Sequence, residues 1–349
     1  MDEIWVYPII LILLTFSILA MRILLPRLIK KLKEKGKIGI DVHKVDKPEV
    51  AEMGGISILI VASVASLIAI ILLMFLDAPI IIIQLIVFIS VIGLAGLIGF
   101  IDDIYKLGSK IKPVLVAGTS FPLLIANFIY LNQVFNTDPY IPLVQGFDVT
   151  YYYWILIPVA ITIAANAVNM MDVVNGSMSG PCIIIFSTLL ICSFIQQPIS
   201  VIGALLSSIM LGCMIIFYKY NRFPAKVFAG DVGALTIGAA LALTGIMGQM
   251  EIVTIVVAMP MVINAFQMLT SVGGFVEGRK IKERPSIVQS DGTIAASTNS
   301  KAPLTLMRIT MAKSPLKEPE IARQFMVLTL FCAFLAIITA FLTYHVKLF

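Results

Sequence analysis

Charge is scarce in this sequence. Of 349 residues only 13% are Asp, Glu, Lys or Arg, against roughly 25% in a soluble domain. Hydrophobic residues make up 59% of the chain, and the mean hydropathy is +1.01. These values exclude a soluble globular enzyme and place the chain in the polytopic membrane class. Histidine is nearly absent, with only His43 and His345. The four cysteines, Cys182, Cys192, Cys213 and Cys332, lie inside apolar runs without CxxC spacing. A disulfide framework or a zinc site is therefore not expected. Walker, HExxH, GxSxG and GxGxxG patterns are missing as well. The N-terminus carries Asp2 and Glu3 where a signal peptide would be basic, so the first apolar run reads as a retained span. No internal repeat of the transporter kind is visible.

What is present is a series of apolar runs. A membrane span needs about 20 such residues. Runs near 4–25, 55–76, 80–101, 113–131, 151–171, 178–195, 198–217, 231–249, 252–274 and 325–345 predict an all-α polytopic membrane protein of ten transmembrane helices. Lys and Arg fix the orientation, because cytoplasmic loops collect them. Nine fall between Arg22 and Lys47, three at Lys106, Lys110 and Lys112, three at Lys219, Arg222 and Lys226, and nine between Arg279 and Arg323. With ten spans all of these share one side, and only Lys347 of the 25 is left for the other. The basic side is read as cytoplasmic, with both termini outside and inner loops at 26–54, 102–112, 172–177, 218–230 and 275–324. The net charge of +5 thus follows topology and implies no nucleic-acid partner. In the last inner loop, Ser290-Asp291-Gly292-Thr293 between apolar pairs predicts a β-hairpin, and Leu304 to Met311 a short amphipathic helix. Together they form an arm between helices 9 and 10.

Polar residues near the ends of spans gather on the cytoplasmic side. Asp102 and Asp103 close the third apolar run and are followed by lysines through Lys112. Ionised groups at a membrane boundary mark a polar partner, and adjacent acids beside lysines suit a phosphate with Mg²⁺. Asn166, Asn169, Asp172 and Asn175 recur every three residues, which predicts a polar stripe down one helix face. Asp231, in Phe228-Ala229-Gly230-Asp231-Val232-Gly233, opens the eighth span, where a helix N-terminus favours phosphate. Lys44 lies in Asp41 to Lys47, ahead of Gly54-Gly55. The ligand these groups suit is a metal-bound diphosphate.

Four of these stretches carry a resemblance. Asp41 to Gly55, Gly99-Phe100-Ile101-Asp102-Asp103, Asn166 to Gly176 and Gly230-Asp231-Val232-Gly233 resemble the polyprenyl-phosphate N-acetylhexosamine-1-phosphate transferase family, over about residues 37–320. The muramoyl-pentapeptide branch has a triple-histidine motif in the last inner segment, where this chain has no histidine. Leu304-Thr305-Leu306-Met307 and Ser314 to Glu318 are instead similar to the archaeal and eukaryotic dolichyl-phosphate GlcNAc-1-phosphate transferases. One departure is Ala51, where relatives often carry proline.

The resemblance implies transfer of GlcNAc-1-phosphate from UDP-GlcNAc to a polyprenyl or dolichyl phosphate, with release of UMP, at the inner leaflet of a homodimer. It implies Mg²⁺, with Mn²⁺ as a substitute, held by Asn169 and Asp231. Asp102 and Asp103 match the family's acidic pair, with Asp103 as base or positioner of the lipid phosphate. Lys112 matches a phosphate-contacting lysine, Lys44 falls near the lipid phosphate, and Asn175 with Gly176 matches the uridine contact. Asn166 and Asp172 join the substrate-binding set, and Arg279, Lys282 and Arg284 fall where sugar and diphosphate contacts are found. Readings to be weighed against this one are another UDP-N-acetylhexosamine as donor, and a secondary transporter of an anionic solute.

Overall fold

A computed structural model describes residues 5–137, 139, 150–274 and 283–346. Arg279, Lys282, Lys347 and most of the outer segment 132–150 lie outside these residues. The first elements are α1 (Val6–Glu34), a two-stranded antiparallel sheet of β1 (Ile38–Ile40) and β2 (Glu49–Ala51), α2 (Ile56–Met74) and α3 (Pro79–Tyr105). Next come α4 (Ile111–Gly118), α5 (Phe121–Ile129), α6 (Thr150–Met171), α7 (Ser179–Ile195), α8 (Val201–Asn221), α9 (Gly230–Met247), α10 (Glu251–Val257) and α11 (Met259–Val272). A second antiparallel pair, β3 (Ser286–Val288) and β4 (Ile294–Ala296), precedes α12 (Leu306–Thr310) and α13 (Glu318–His345).

The protein is mostly helical, as expected, and every apolar run has a helical counterpart. Among the described residues eight helical stretches are long and apolar enough to cross a membrane, with α4 and α5 counted as one, or up to nine with α10 and α11 taken together. α7, with 17 residues, is apolar but falls just short of that length. Two runs expected as single helices are broken. The fourth divides at Thr119 and Ser120, whose hydroxyls donate to the carbonyls of Val116 and Ala117, each at 2.7 Å. Pro122 follows at once and has no N–H to continue the ladder. The ninth bends by 70° at Ala258, just before Pro260.

α9 lies at the centre. Its most apolar stretch is 89% buried, as expected for a helix that is apolar all round. α2, α3, α6 and α8 surround it. Small residues permit this approach, since lipid tails leave tight packing as the main attraction between helices. A Cβ on Gly55 would stand 2.0 Å from the Gly233 Cα, and one on Gly99 would stand 2.4 Å from the Asp231 carbonyl oxygen. The glycines of the two acidic motifs are thus contact points between α2, α3 and α9. β2 ties in from the other side: Ala51 bridges Val227, and Phe228 N–H donates to the Ala51 carbonyl at 2.8 Å. The position where proline was expected is therefore held by a strand ladder.

The arm matches its sequence pattern. Thr293 N–H donates to Asp291 Oδ1 at 2.9 Å, and Gly292 takes φ +79° in the turn. The helix after it is shorter than expected, and Leu306 and Met307 are buried. Arg308 donates to the carbonyls of Ser297 and Asn299 at 3.1 and 2.8 Å and also to that of Ala302, so the arm is packed.

Gly55→Ala should lower thermal stability by roughly 1–3 kcal/mol, the usual cost of overpacking. Gly93→Ala, where nothing lies within 4 Å, should not. Thermal unfolding of the detergent-solubilised protein checks both.

Candidate active site

The first half of the site is built where α3 ends and α9 begins. Asp103 reaches across to the start of α9, and its two oxygens accept from the Asp231 N–H at 2.8 Å and the Val232 N–H at 3.1 Å. A helix leaves its first N–H groups without partners, so Asp103 caps α9 from another helix. Asp102, one residue back, holds the turn that leaves its own helix: its Oδ1 accepts from Leu107 N–H at 2.6 Å. The chain then turns through Lys106 in the left-handed region and Gly108, whose carbonyl accepts from Ile111 and Lys112. This reversal brings Lys112, in the first turn of α4, back against the acids. Its Nζ lies 2.9 Å from Asp102 Oδ2 and 2.6 Å from Asp231 Oδ1. Asn169, on the last turns of α6, donates to the same Asp231 oxygen at 2.7 Å.

The second half centres on Asn175. Its Oδ1 accepts from Lys44 Nζ at 3.0 Å and from Ala225 N–H at 2.7 Å, and its Nδ2 donates to Asp41 Oδ2 at 3.0 Å. Its own N–H donates to Glu318 Oε1 at 2.7 Å. Lys44 pairs with Asp41, lies 3.5 Å from Glu318 Oε2, and rests 4.9 Å from the centre of the Phe223 ring. Asp41 and Glu318 were absent from the sequence-derived set. Each looks like an ordinary acid in a polar stretch, and what distinguishes them is burial to 3% exposure beside one lysine.

The two halves line one cavity of about 280 Å³, with Asp103, Asn169, Asp172, Asn175 and Asp231 in its wall. Phe228, Glu52 and His43 also line it and were not in the expected set, whereas Asp102, Lys44 and Lys112 are not in its wall. Burial, reinforced by the Asp231 carboxylate, pushes the Asp172 carboxyl up to about 7. Burial also pulls His43 below the usual imidazole range; Asp41 opposes this, and Lys44 and Arg284 add to it. A neighbouring cavity of about 370 Å³ shares Val42, His43 and Val173 and extends to Arg284 and the arm at Ser286, Thr305 and Met307.

The expected stripe is only partly helical. α6 ends at Met171, because the Ser177 hydroxyl donates to the Met171 carbonyl and accepts from the N–H groups of Val173 and Val174. Asp172 and Asn175 therefore stand on the following turn, where they still face the cavity. Asn166 is not in its wall: its Nδ2 donates to the Thr162 carbonyl, one turn back in α6. Gly176 takes φ +82° and packs against Tyr218 and Arg222 at the end of α8.

Among the described residues no three His, Cys, Asp or Glu side chains form a metal cage. The site nevertheless fits Mg²⁺, which takes one or two carboxylates with ligand oxygens. A cation, the Lys112 ammonium, already sits against the carboxylates of both Asp102 and Asp231. Asn169 supplies an amide to the same point.

These features define an integral, multi-pass membrane protein with a carboxylate-lined cavity at one end of its helices. Residues 82–249, from α3 to the end of α9, match glycosyl transferase family 4, and the resemblance read from the motifs is borne out. A phospho-N-acetylmuramoyl-pentapeptide-transferase of Sulfurimonas denitrificans is 33% identical over 50% of this chain and 56% of its own length. A proposed UDP-N-acetylglucosamine–dolichyl-phosphate N-acetylglucosaminephosphotransferase of Saccharolobus solfataricus is 26% identical over 68% of this chain and 70% of its own. A proposed glycosyltransferase of Methanocaldococcus jannaschii is 29% identical over 86% of this chain and 87% of its own. The chain thus spans little more than half the length of the bacterial relative.

Asp103→Ala should speed amide exchange at Asp231 and Val232 and cost about 0.5–2 kcal/mol of stability, as loss of a helix cap does. Asp103→Asn keeps one acceptor oxygen and should lose less; hydrogen exchange with thermal unfolding measures both.

Proposed function

We propose that this protein transfers GlcNAc-1-phosphate from UDP-GlcNAc to a polyprenyl phosphate of the dolichyl type, releasing UMP. The observation that carries this reading is the convergence of Asp102, Lys112, Asn169 and Asp231 on one point, beside a cavity whose wall holds Asn169, Asp231 and Asn175. The Saccharolobus relative supports a dolichyl acceptor, and the bacterial relatives support the same kind of transfer with a different sugar donor. Ten spans with both termini outside, a cytoplasmic site and a homodimer complete the proposal. The segregation of Lys and Arg supports the sidedness.

In this reaction an oxygen of the lipid phosphate attacks the β-phosphorus of the nucleotide sugar. The bond between that phosphorus and the oxygen bridging to the α-phosphate breaks, and UMP leaves with the electron pair. The acceptor is already mostly ionised near neutral pH, since a phosphate monoester has its second pKa near 6, and no strong base is needed. This agrees with Asp103, whose two oxygens are engaged by α9, serving as a positioner. Mg²⁺, held by Asp231, Asn169 and Asp102, would neutralise charge on the diphosphate. Lys112, released from its carboxylates, turns its ammonium to the phosphoryl oxygens. Asn175, fixed on four sides, presents a rigid edge to the nucleoside, and Arg284 borders the sugar through the adjoining cavity. Arg279 and Lys282, a few positions earlier in the sequence, are proposed as further sugar or diphosphate contacts.

Asp231→Asn should reduce UMP release at least about 100-fold, as loss of an electrostatic stabiliser does, with an unchanged elution profile in detergent; wild-type turnover would remove the metal role. Asn175→Ala should weaken UDP-GlcNAc and free UDP alike, by about 10-fold or more, as titration calorimetry reads directly. A panel of UDP-sugars assayed with one acceptor lipid tests the donor, and release of UMP from none of them would sink the transferase reading.

A further inference from the structure

A second cavity, of about 530 Å³, opens on the far side of Asn175, between α7, α8 and α13. Two guanidiniums line it: Arg222, just past the end of α8, and Arg323, in the second turn of α13. Both are exposed, and among the described residues neither forms an ion pair. Below them the wall is apolar. Val327 and Leu330 follow Arg323 by four and seven residues, so all three share one face of α13. Both apolar side chains are 61% exposed on a helix apolar enough to span the membrane. At 1.5 Å per residue the face runs about 10 Å from the charge into the apolar zone. A furrow with unpaired cations at its head and open hydrocarbon along its length has the charge and shape of a lipid with an anionic head.

We propose that this furrow holds an anionic phospholipid, its phosphate between Arg222 and Arg323 and its acyl chain along Val327 and Leu330. Guanidinium favours phosphate through paired N–H donors. The inference goes beyond the transferase reading, because the occupant is a resident lipid and takes no part in the reaction. The site also touches the network around Asn175 at two places. Phe223 and Ala225, directly after Arg222, contact Lys44 and donate to Asn175, respectively. Glu318, one turn before Arg323, accepts from the Asn175 N–H. A phosphate joining the two arginines ties the end of α8 to the first turns of α13 on either side of that asparagine.

The test compares purified protein in phosphatidylcholine nanodiscs with and without phosphatidylglycerol. The wild type should gain on the order of 5 °C in Tm with phosphatidylglycerol, with slower amide exchange over 222–226. Arg222→Gln/Arg323→Gln should lose both effects while matching the wild-type Tm in phosphatidylcholine alone. Lys31→Gln/Lys35→Gln, which removes the same charge at the exposed end of α1, should keep them. The proposal is overturned if the arginine variant responds like the wild type, or if the α1 variant loses the response equally. It is also overturned if inorganic phosphate reproduces the shift, if polyprenyl phosphate displaces the phospholipid, or if a change in oligomeric state accounts for it. None of these readouts uses turnover, so this inference and the transferase reading stand or fall separately.

Discussion

The structure depends on one carboxylate spent on a helix end. Asp103 accepts from two backbone N–H groups of α9, and this contact is reached only because Gly99, one turn earlier, lets α3 touch the α9 backbone. The cap fixes the depth and rotation of α9, and with them the position of Asp231. Because the cap comes from the helix that also carries Asp102, the two acids that face Lys112 are set by a single helix contact. An error in the packing of α3 on α9 would displace the whole cation site.

The rest of the polar network follows from the cost of burying charge. Lys44 is enclosed with Asp41 and Glu318, and Lys112 with Asp102 and Asp231. Such groups add little net stability, because desolvation offsets most of their attraction, and removing one partner leaves an uncompensated charge. Their value here is positional. Each lysine joins segments distant in sequence: Lys44 links the β1–β2 loop to α13, and Lys112 links α4 to α3 and α9. Asn175 extends the first linkage through its side chain and its own N–H.

Much of this was legible in the sequence because the signals were local. The apolar runs, the hairpin at 290–293 and the acids beside glycine motifs are each contained within a few residues. The unread parts depend on contacts between distant segments. β1 and β2 are three residues each and are held by Val227 and Phe228, far along the chain. The breaks in the fourth and ninth runs could not be told from tolerated prolines, since Pro26 and Pro158 lie inside α1 and α6 without ending them. Asn166 shares the spacing of its three partners, yet its amide turns back on its own helix, a local competition that periodicity does not register. Asp41 and Glu318 became visible only once burial and a shared lysine were known.

Asn264 carries one more implication. Its amide donates to the Met170 carbonyl at the end of α6 and accepts from Leu306 N–H of the arm, each at 2.8 Å. Arg308 meanwhile clamps the segment from Ser297 to Ala302 onto α12. The arm is held to α11 a second time by the Ser271 hydroxyl, which accepts from Leu304 N–H at 3.0 Å, and to the chain just ahead of α13 by the Ile294–Leu316 bridge. Through Asn264 the arm that borders the cavity beneath the hairpin and the α6 terminus just ahead of Asp172 share one amide, so neither can be repositioned without breaking a bond to the same side chain.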